Sequence, residues 1–571
     1  MNIQSFALSL LFIIGTFSLV KAQSNYAPLN EDYYHWIDRY EVKSGRVSSE
    51  IFTAVKPYRR SDIVAFVDSL HQGDSNVFTS KTDQFNYDYL RNDSWEWSRA
   101  ETSDSRKPFL KYLYRKKSDA YHVDVDALDL HINPVIYFGL GKDSRNDDMA
   151  FINTRGVELR GMIDKKVGFY TYLTDNQAIV PSYVWDQMSL NPVVPHEGFW
   201  KSYKGKTAAV DFLQARGYIT FDPTKHINIQ FGHDRFFIGN GYRSFIFSDY
   251  APPSLFLKTD VKVWKFNYLF SLNNMTADAP GTLGGSKTSS SGNPMKFVAF
   301  HQLSMNIGKK LNIGVFESVV FTDDDSLHTG GFEWSYLNPI IFYRAIEQQN
   351  GSSDNVILGM DIKWNLVKKL SLYGQFILDE FKIDEIRAGN GWWANKYAIQ
   401  FGAKYIDAFG VSNLDLQGEF NLARPFTFAH NTQYGGYVSY NQPIGHPLGA
   451  NFNEVIGILR YQPLPRLNLV GKLTMTNIGR DSTSNSKNYG SNLLRDNSKD
   501  RDEYGNTIGQ GYSNKIVFAS FTASWQVMQN LFVDANLVVR KSQSDLPIYN
   551  SNTTITSLAL RWNIARRLYE F

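Results

Sequence analysis

The chain has 571 residues, a formal net charge of +3 and 15% aromatic residues, and it contains no cysteine. A net charge this close to zero implies no strong attraction to nucleic acid. The lack of cysteine excludes a disulfide scaffold, a thiolate zinc site, a cysteine nucleophile and a lipoprotein anchor.

An apolar run opens the sequence. Residues 6–20 are mostly apolar and lead into Val20-Lys21-Ala22, a small-residue pattern typical of signal-peptide cleavage. The run is shorter than the ~20 residues of a membrane-spanning helix, and no later apolar stretch approaches that length. We therefore expect a signal peptide at residues 1–22, followed by a mature chain that is either soluble or a transmembrane β-barrel.

Residues 23–120 have a helical pattern. Apolar side chains after Ser61 fit one face of a helix that this serine caps, and EDYYHWIDRY and QFNYDYLRNDSWEW indicate further short, aromatic-rich helices. Because this region follows the signal peptide, we expect it in the periplasm. There it either packs under the barrel or docks a periplasmic partner.

From about residue 121 to residue 571, apolar and polar residues alternate with period two, the pattern of β-strands. Leu358, Met360 and Ile362, for example, alternate with polar residues of the same run. If the polar faces line a barrel lumen, the lumen-facing charged candidates are Asp361, Lys363, Asp379, Lys404, Asp415 and Glu419. Their mixed signs favour internal salt bridges over a charge-selective pore.

A soluble sandwich would alternate in the same way, but three features favour a membrane barrel. The runs are longer than the ~5–6 residues of most soluble strands, and aromatic residues such as Trp364 and Trp525 lie near their ends. Eight short turns also alternate with nine longer connections, which implies about eighteen strands. We predict an all-β outer-membrane barrel of about 18 antiparallel strands with long extracellular loops, whose last strand runs to Phe571.

The stretch GHDRFFIGNGYRSFIFSDYAPP, residues 232–253, follows a predicted strand. Its glycines do not open a helix, so they lack the context of a phosphate-binding loop. His233 and Asp234 are adjacent, as in a catalytic pair, but no serine lies in a nucleophile elbow. We interpret the stretch as a loop folded against the wall or into the lumen, where it forms a structural network.

Two motifs resemble the RemB and Wzi group of outer-membrane proteins, over about residues 30–571. The first comprises His233, Asp234, Arg235, Gly239, Gly241, Arg243, Ser244, Ser248 and Asp249. The second comprises Asn338, Pro339, Arg344, Asp354 and Asn355. The resemblance implies an eighteen-stranded barrel with a helical periplasmic part, used in gliding motility by RemB-like proteins and in capsule attachment by Wzi-like proteins.

Other candidate sites are weaker. The acidic clusters at residues 323–325 and 496–502 lack the ligand spacing of a calcium-binding EF-hand loop, so we expect neither a metal nor a cofactor. Trp392 and Trp393, like the tryptophans of residues 23–120, either stack on sugar rings or pack structurally.

The expected function is non-enzymatic and follows from the resemblance, which lies closer to RemB. It implies an outer-membrane barrel of a Gram-negative bacterium that handles exported surface protein or polysaccharide in gliding motility or adhesion. The alternatives are capsule or exopolysaccharide attachment, an accessory barrel of the type IX secretion translocon, and a diffusion porin. The expected partners are outer-membrane lipid and other motility, secretion or polysaccharide components.

Overall fold

The computed structural model describes residues 23–73, 77–277, 293–322, 332–338, 340, 342–350, 354–432, 434–482 and 487–571. The predicted signal peptide lies outside these residues. Within them, eighteen long antiparallel strands close into a barrel. They are β1 Leu128–Asp143, β2 Ala150–Ile163, β3 Val167–Ile179, β4 Ala209–Thr224, β5 Ile227–Asp234, β6 Ser254–Val263, β7 Phe266–Thr276, β8 Met295–Ile307, β9 Leu311–Phe321, β10 Asn355–Val367, β11 Leu370–Leu378, β12 Tyr397–Tyr405, β13 Leu414–Ala423, β14 Phe452–Leu464, β15 Leu467–Arg480, β16 Tyr512–Met528, β17 Leu531–Ser544 and β18 Ser551–Trp562.

Each strand pairs with its neighbours in sequence, and β18 closes the barrel on β1 through the register Leu560↔Phe138. A short strand, Tyr121–Val125, precedes β1 and pairs with its first residues. Eight links, such as 308–310 and 529–530, join the strands at one end, here called the short-turn end. Nine mostly longer connections join them at the other, the loop end. The predicted fold class and strand number are confirmed.

The two faces of the wall have opposite polarity. Asp361 and Lys363 of β10 are each 1% exposed because they point into the lumen, whereas Phe401 of β12 is 57% exposed on the outside. Outward-facing Trp364 and Trp525 lie near the short-turn end. A surface that buries charge and exposes large apolar side chains fits hydrocarbon rather than water, and the aromatic residues suit its boundary.

Within the described residues, four α-helices precede the barrel and three lie in its connections. They are α1 Glu31–Ser44, α2 Arg60–Gly73, α3 Lys81–Asp93, α4 Trp95–Ser98, α5 Ser182–Leu190, α6 Tyr343–Asn350 and α7 Ile383–Ala388. Helix α1 begins at an Asn30 cap, whose side chain accepts from Asp32 N and Tyr33 N, and ends at Gly45 in the left-handed region. No helix of the described ranges is long and apolar enough to cross a membrane.

The first helices enter the short-turn end of the lumen. Val47 N donates to Lys309 O at 2.8 Å and Lys369 N donates to Val42 O at 3.0 Å, so two turns of the wall hold the end of α1. The α2 and α3 helices pack with α1 around a core of aromatic residues that reaches Phe532 of β17. Residues 23–120, here called the helical region, therefore share one core with the barrel.

The expectation that the last strand runs to Phe571 is wrong. Strand β18 ends at Trp562, and Asn563 adopts a left-handed φ of 53° that turns the chain. Residues 563–571, here called the C-terminal segment, then lie in the lumen. A continued strand would put Arg566 and Glu570 on the outward face of Trp562. Inside the barrel, Arg566 instead binds Asp32 at 2.6 Å, and Glu570 binds Lys472 at 3.2 Å.

Candidate functional site

Charged side chains of α1 bind charged side chains of the wall. Lys363 Nζ lies 3.0 Å from Asp38 Oδ1, and Lys404 pairs with the other oxygen of the same carboxylate. One residue further on, Arg39 pairs with Asp407 and Asp415 at the short-turn end. These contacts fix the helix in register with strands β10 to β13.

The contact between α1 and the wall should weaken as the pH falls. Burial, together with Arg460, lowers the pKa of His35 even though Asp415 accepts from its ring at 2.9 Å. Burial would raise the pKa of Asp38, but Lys363 and Lys404 outweigh it and hold that pKa well below its usual range. Both groups therefore favour docking at high pH and oppose it at low pH.

The direction of each pKa shift sets the pH range over which the contact between α1 and the wall weakens. The His35 contribution is complete above about pH 6.5 and is lost as the pH falls below that value, and the Asp38 contribution is lost only below about pH 3.9. We expect hydrogen exchange in α1, corrected for its intrinsic rate, to rise in two steps on acidification. His35→Phe should remove the first step. Slower exchange at pH 5 than at pH 7 would contradict this.

The first sequence motif forms a loop inside the lumen. Its Phe237-Ile238 pair forms a two-residue sheet with Val55-Lys56 of the helical region. Ile238 N also donates to Phe247 O at 2.9 Å, so the loop closes on itself. Its apolar side chains join a large buried cluster with the β13–β14 connection, which includes Ile444. The loop therefore lies in the lumen, which is one of the two positions, against the wall or in the lumen, that the sequence predicts.

Glu419 of β13 anchors this loop. Its carboxylate accepts from Tyr242 N at 2.6 Å and from Arg243 N at 3.0 Å. At Gly241 any Cβ would lie 2.7 Å from this carboxylate and 2.8 Å from Arg243 O, and Gly239 has a φ of 148°. The two glycines are therefore required by close approach and by backbone conformation.

The remaining residues of the first motif have separate positions. His233 points outward, with Nδ1 3.1 Å from Ala215 O, while Asp234 points inward and lies 3.4 Å from Arg216. Successive strand residues face opposite sides, so these two do not form a catalytic pair. Arg235 donates to Asp249 O at 3.2 Å. Ser244 Oγ accepts from Ile246 N at 3.0 Å, and Ser248 Oγ accepts from Tyr250 N at 3.1 Å.

The C-terminal segment meets this loop, a contact that sequence reasoning missed. Arg243 donates to Glu570 O at 2.5 Å, and the Tyr242 hydroxyl binds the Glu570 carboxylate. Arg540 Nε donates to Phe571 O at 3.0 Å. The charged Arg566-Arg567 pair after an apolar strand was the available sequence signal, because two adjacent cations do not suit a strand with one lipid-facing side.

The second motif lies at the loop end, on the outer wall. Glu317 of β9 accepts from Tyr343 N at 2.6 Å and Arg344 N at 2.9 Å, which caps α6. Asn338 Oδ1 accepts from Ile340 N at 3.1 Å, and the Asp354 carboxylate accepts from the Tyr336 hydroxyl at 2.6 Å. Asn355 Nδ2 donates to Gly435 O at 2.9 Å. Pro339 lies outside the described residues.

Asp361 and Asp379, the last two of the charged residues predicted to face the lumen, also contact segments of the chain that enter the lumen. Asp361 accepts from Asn240 Nδ2 at 2.8 Å, and Asp379 accepts from Phe428 N at 2.7 Å. The described residues therefore place four pieces of chain in the lumen: the helical region, the first-motif loop, the β13–β14 connection and the C-terminal segment. Two cavities lie between them and the wall, one of about 170 Å³ beside Tyr569 and one of about 140 Å³ beside Arg216 and Glu158.

An aromatic cluster, here called the Trp platform, lies at the loop end and is formed by Trp392, Trp393, Arg501 and Glu503. Trp392 Nε1 donates to Glu503 Oε1 at 2.9 Å, and the Arg501 guanidinium lies 3.6 Å above the Trp393 ring. Backbone bonds join the two connections, since Trp393 N donates to Glu503 O at 3.0 Å. Both rings are half-buried, so each keeps part of its surface open to solvent.

The Trp platform requires close contact between its two loops. A Cβ on Gly391 would lie 2.7 Å from Asn506 N, and the φ of this glycine is +69°.

The described residues contain no group of three His, Asp or Glu side chains placed to bind a metal. Arg501 covers one face of Trp393 and binds Glu503 at 2.6 Å, so the Trp platform offers a ligand the exposed parts of the two indoles and the remaining acceptor capacity of Glu503.

These features define an outer-membrane-type β-barrel whose lumen is occupied by its own chain. No family model matches the sequence, and no curated protein matches it. Among solved structures, the fold is similar to Wzi of Escherichia coli, a carbohydrate-binding β-barrel involved in group 1 capsule assembly. The two share 11% identity with a TM-score of 0.56, over 95% of this chain and 100% of that one.

More distant similarity extends to two other outer-membrane barrels. Pseudomonas aeruginosa OprD has 10% identity and a TM-score of 0.41, over 76% of this chain and 94% of that one. Acinetobacter baumannii OccAB2 has 10% identity and a TM-score of 0.42, over 77% and 98%.

Proposed function

We propose that this protein is a non-enzymatic outer-membrane barrel that binds surface polysaccharide at its loop end and attaches it to the cell. In this proposal the short turns and the helical region face the periplasm, and the loop end faces the outside. The Trp platform carries the proposal because it is a preformed, partly exposed pair of rings with a carboxylate at its edge.

The chemistry of the Trp platform suits a carbohydrate. A sugar ring presents an apolar face that stacks on an indole, and its equatorial hydroxyls donate to a carboxylate such as Glu503. Because the backbones of the two loops are joined, little conformational entropy is lost when the ligand binds. The fold similarity to Wzi, a carbohydrate-binding barrel, supports the same ligand class.

The occupied lumen supports attachment rather than diffusion. Helix α1 is held by buried ion pairs with the wall, and the first-motif loop is held by Glu419. A solute path would have to displace these contacts. The roles in gliding motility and in type IX export stay predictions, and both are compatible with a barrel that holds polysaccharide or an adhesin at the surface.

Removing the two indoles should abolish most polysaccharide binding. Two rings that contribute about 1 kcal/mol each predict a fall in affinity of roughly 10- to 30-fold for Trp392→Ala/Trp393→Ala. The measurement is binding of surface polysaccharide, isolated from the producing cells, to the purified full-length barrel. Trp264→Ala is the control, because this exposed tryptophan lies in a turn at the short-turn end.

Equal binding by the double variant and the wild type would contradict the proposal. An equal loss of binding in the Trp264 variant would likewise contradict it, because the loss would then not be specific to the Trp platform. Glu503→Gln tests the polar edge, and we expect a smaller loss of affinity because its amide still accepts a hydrogen bond.

A further inference from the structure

A loop before the barrel combines exposed apolar and basic side chains. This segment, residues 105–117, is here called the basic loop. Its base is closed by Ser105 N, which donates to Arg115 O at 2.8 Å, and its tip by Leu113 N, which donates to Phe109 O at 2.9 Å. The basic loop is thus a defined turn whose tip side chains project away from the fold.

The tip is unusually apolar for a surface. Phe109 is 63% exposed, and Leu110 and Tyr112 are each 68% exposed. The segment contains no acidic residue and six cations: Arg106, Lys107, Lys111, Arg115, Lys116 and Lys117. Of these, Lys116 pairs with Asp104 at 2.6 Å, just before the segment. Exposed aromatic and aliphatic side chains among lysines and arginines are typical of segments that lie at a membrane surface.

The position of the basic loop is continuous with the lipid-facing wall. The Tyr114 ring stacks on Trp562 at 5.4 Å and 16°, and Trp562 is the last residue of β18 at the short-turn end. The next short strand, which pairs with the start of β1, exposes Tyr121 and Val125. The apolar tip of the basic loop therefore lies beside the apolar outer surface of the wall, at its short-turn end.

We infer that the basic loop binds the membrane surface at the short-turn end, with its apolar tip in the lipid and its cations on anionic phospholipid headgroups. This inference goes beyond the proposed function and does not depend on polysaccharide binding. The apolar side chains gain from leaving water, and each cation near an anionic surface adds to the attraction. The basic loop would fix the tilt and depth of the barrel on this side.

The lack of cysteine allows a direct test with one spin label. Leu110→Cys in the full-length protein is labelled and placed in nanodiscs of phosphatidylethanolamine and phosphatidylglycerol, and in nanodiscs of phosphatidylcholine alone. Accessibility to oxygen and to a water-soluble nickel chelate then gives the depth of the label. Gln72→Cys, exposed at the end of α2, is the matched control. Heat-modifiable gel mobility verifies folding.

We expect the Leu110 label to be protected from the nickel chelate in the anionic nanodiscs and the Gln72 label to be accessible. Arg106→Gln/Lys107→Gln/Lys111→Gln should lower the ratio of inserted to free loop about 100-fold, because each cation contributes separately. Nickel accessibility at Leu110 equal to that at Gln72 in both lipids would overturn the inference. So would equal insertion with and without anionic lipid.

One further result would reassign the surface. A Leu110 label that is accessible in both kinds of nanodisc, yet immobilised in isolated outer membranes, would indicate a protein partner and overturn the lipid assignment.

Discussion

Arg39→Ala should open the barrel to ions. The guanidinium is buried and pairs with Asp407 and Asp415 of the wall, and with Asp83 of α3 at 3.4 Å. Truncation leaves three carboxylates without this cation, and breaking a buried pair in this way costs about 3–5 kcal/mol. We expect α1 to leave the lumen part of the time, so that the variant conducts in planar bilayers where the wild type does not.

The control separates this effect from a general loss of charge. Asp68→Ala removes a partly exposed pair with Arg91, 3.0 Å long, which is worth about 0–1 kcal/mol. It should remain non-conducting. An Arg39→Ala protein that is folded, silent in the bilayer and unchanged in hydrogen exchange over α1 would show that the ion pairs do not hold the helix in place.

Phe401→Arg should prevent assembly. The side chain lies at the middle of β12 and is 57% exposed on the outward face. An arginine at the bilayer midplane of a barrel costs about 2–4 kcal/mol. We expect little heat-modifiable, folded protein in the outer membrane.

The matched control places the same charge at another depth. Thr554 of β18 also points outward but lies near the loop end, where its outward neighbours Asn552 and Thr556 are polar. Thr554→Arg should therefore assemble normally, since the cost falls to about 0–1 kcal/mol near the interface. Normal assembly of Phe401→Arg would mean that this face does not contact lipid.

The wall could be predicted from the sequence because its rule is local. A strand with one lipid face and one lumen face must alternate residue by residue, so Asp361 and Lys363 could be assigned to one side from their neighbours alone. The strand number followed from the alternation of short and long connections. Both predictions depend on residues that are adjacent in the chain.

The contents of the lumen could not be predicted in this way. Asp38 meets Lys363 and Lys404 across more than 300 residues, and no local pattern specifies such a pairing. The C-terminal segment was missed for the same reason, since the partners of Glu570 lie on β15 and in the first-motif loop. Trp392 was named as a candidate, but its bond to Glu503 needed the fold.

The most direct test of the central claim is to identify what the native protein binds. The full-length barrel, tagged in the loop between β15 and β16, would be purified from outer membranes in mild detergent and the bound material analysed. We expect surface polysaccharide to be retained by the wild type and lost from Trp392→Ala/Trp393→Ala. Motility or export proteins without carbohydrate, or a bare barrel that conducts ions, would contradict it.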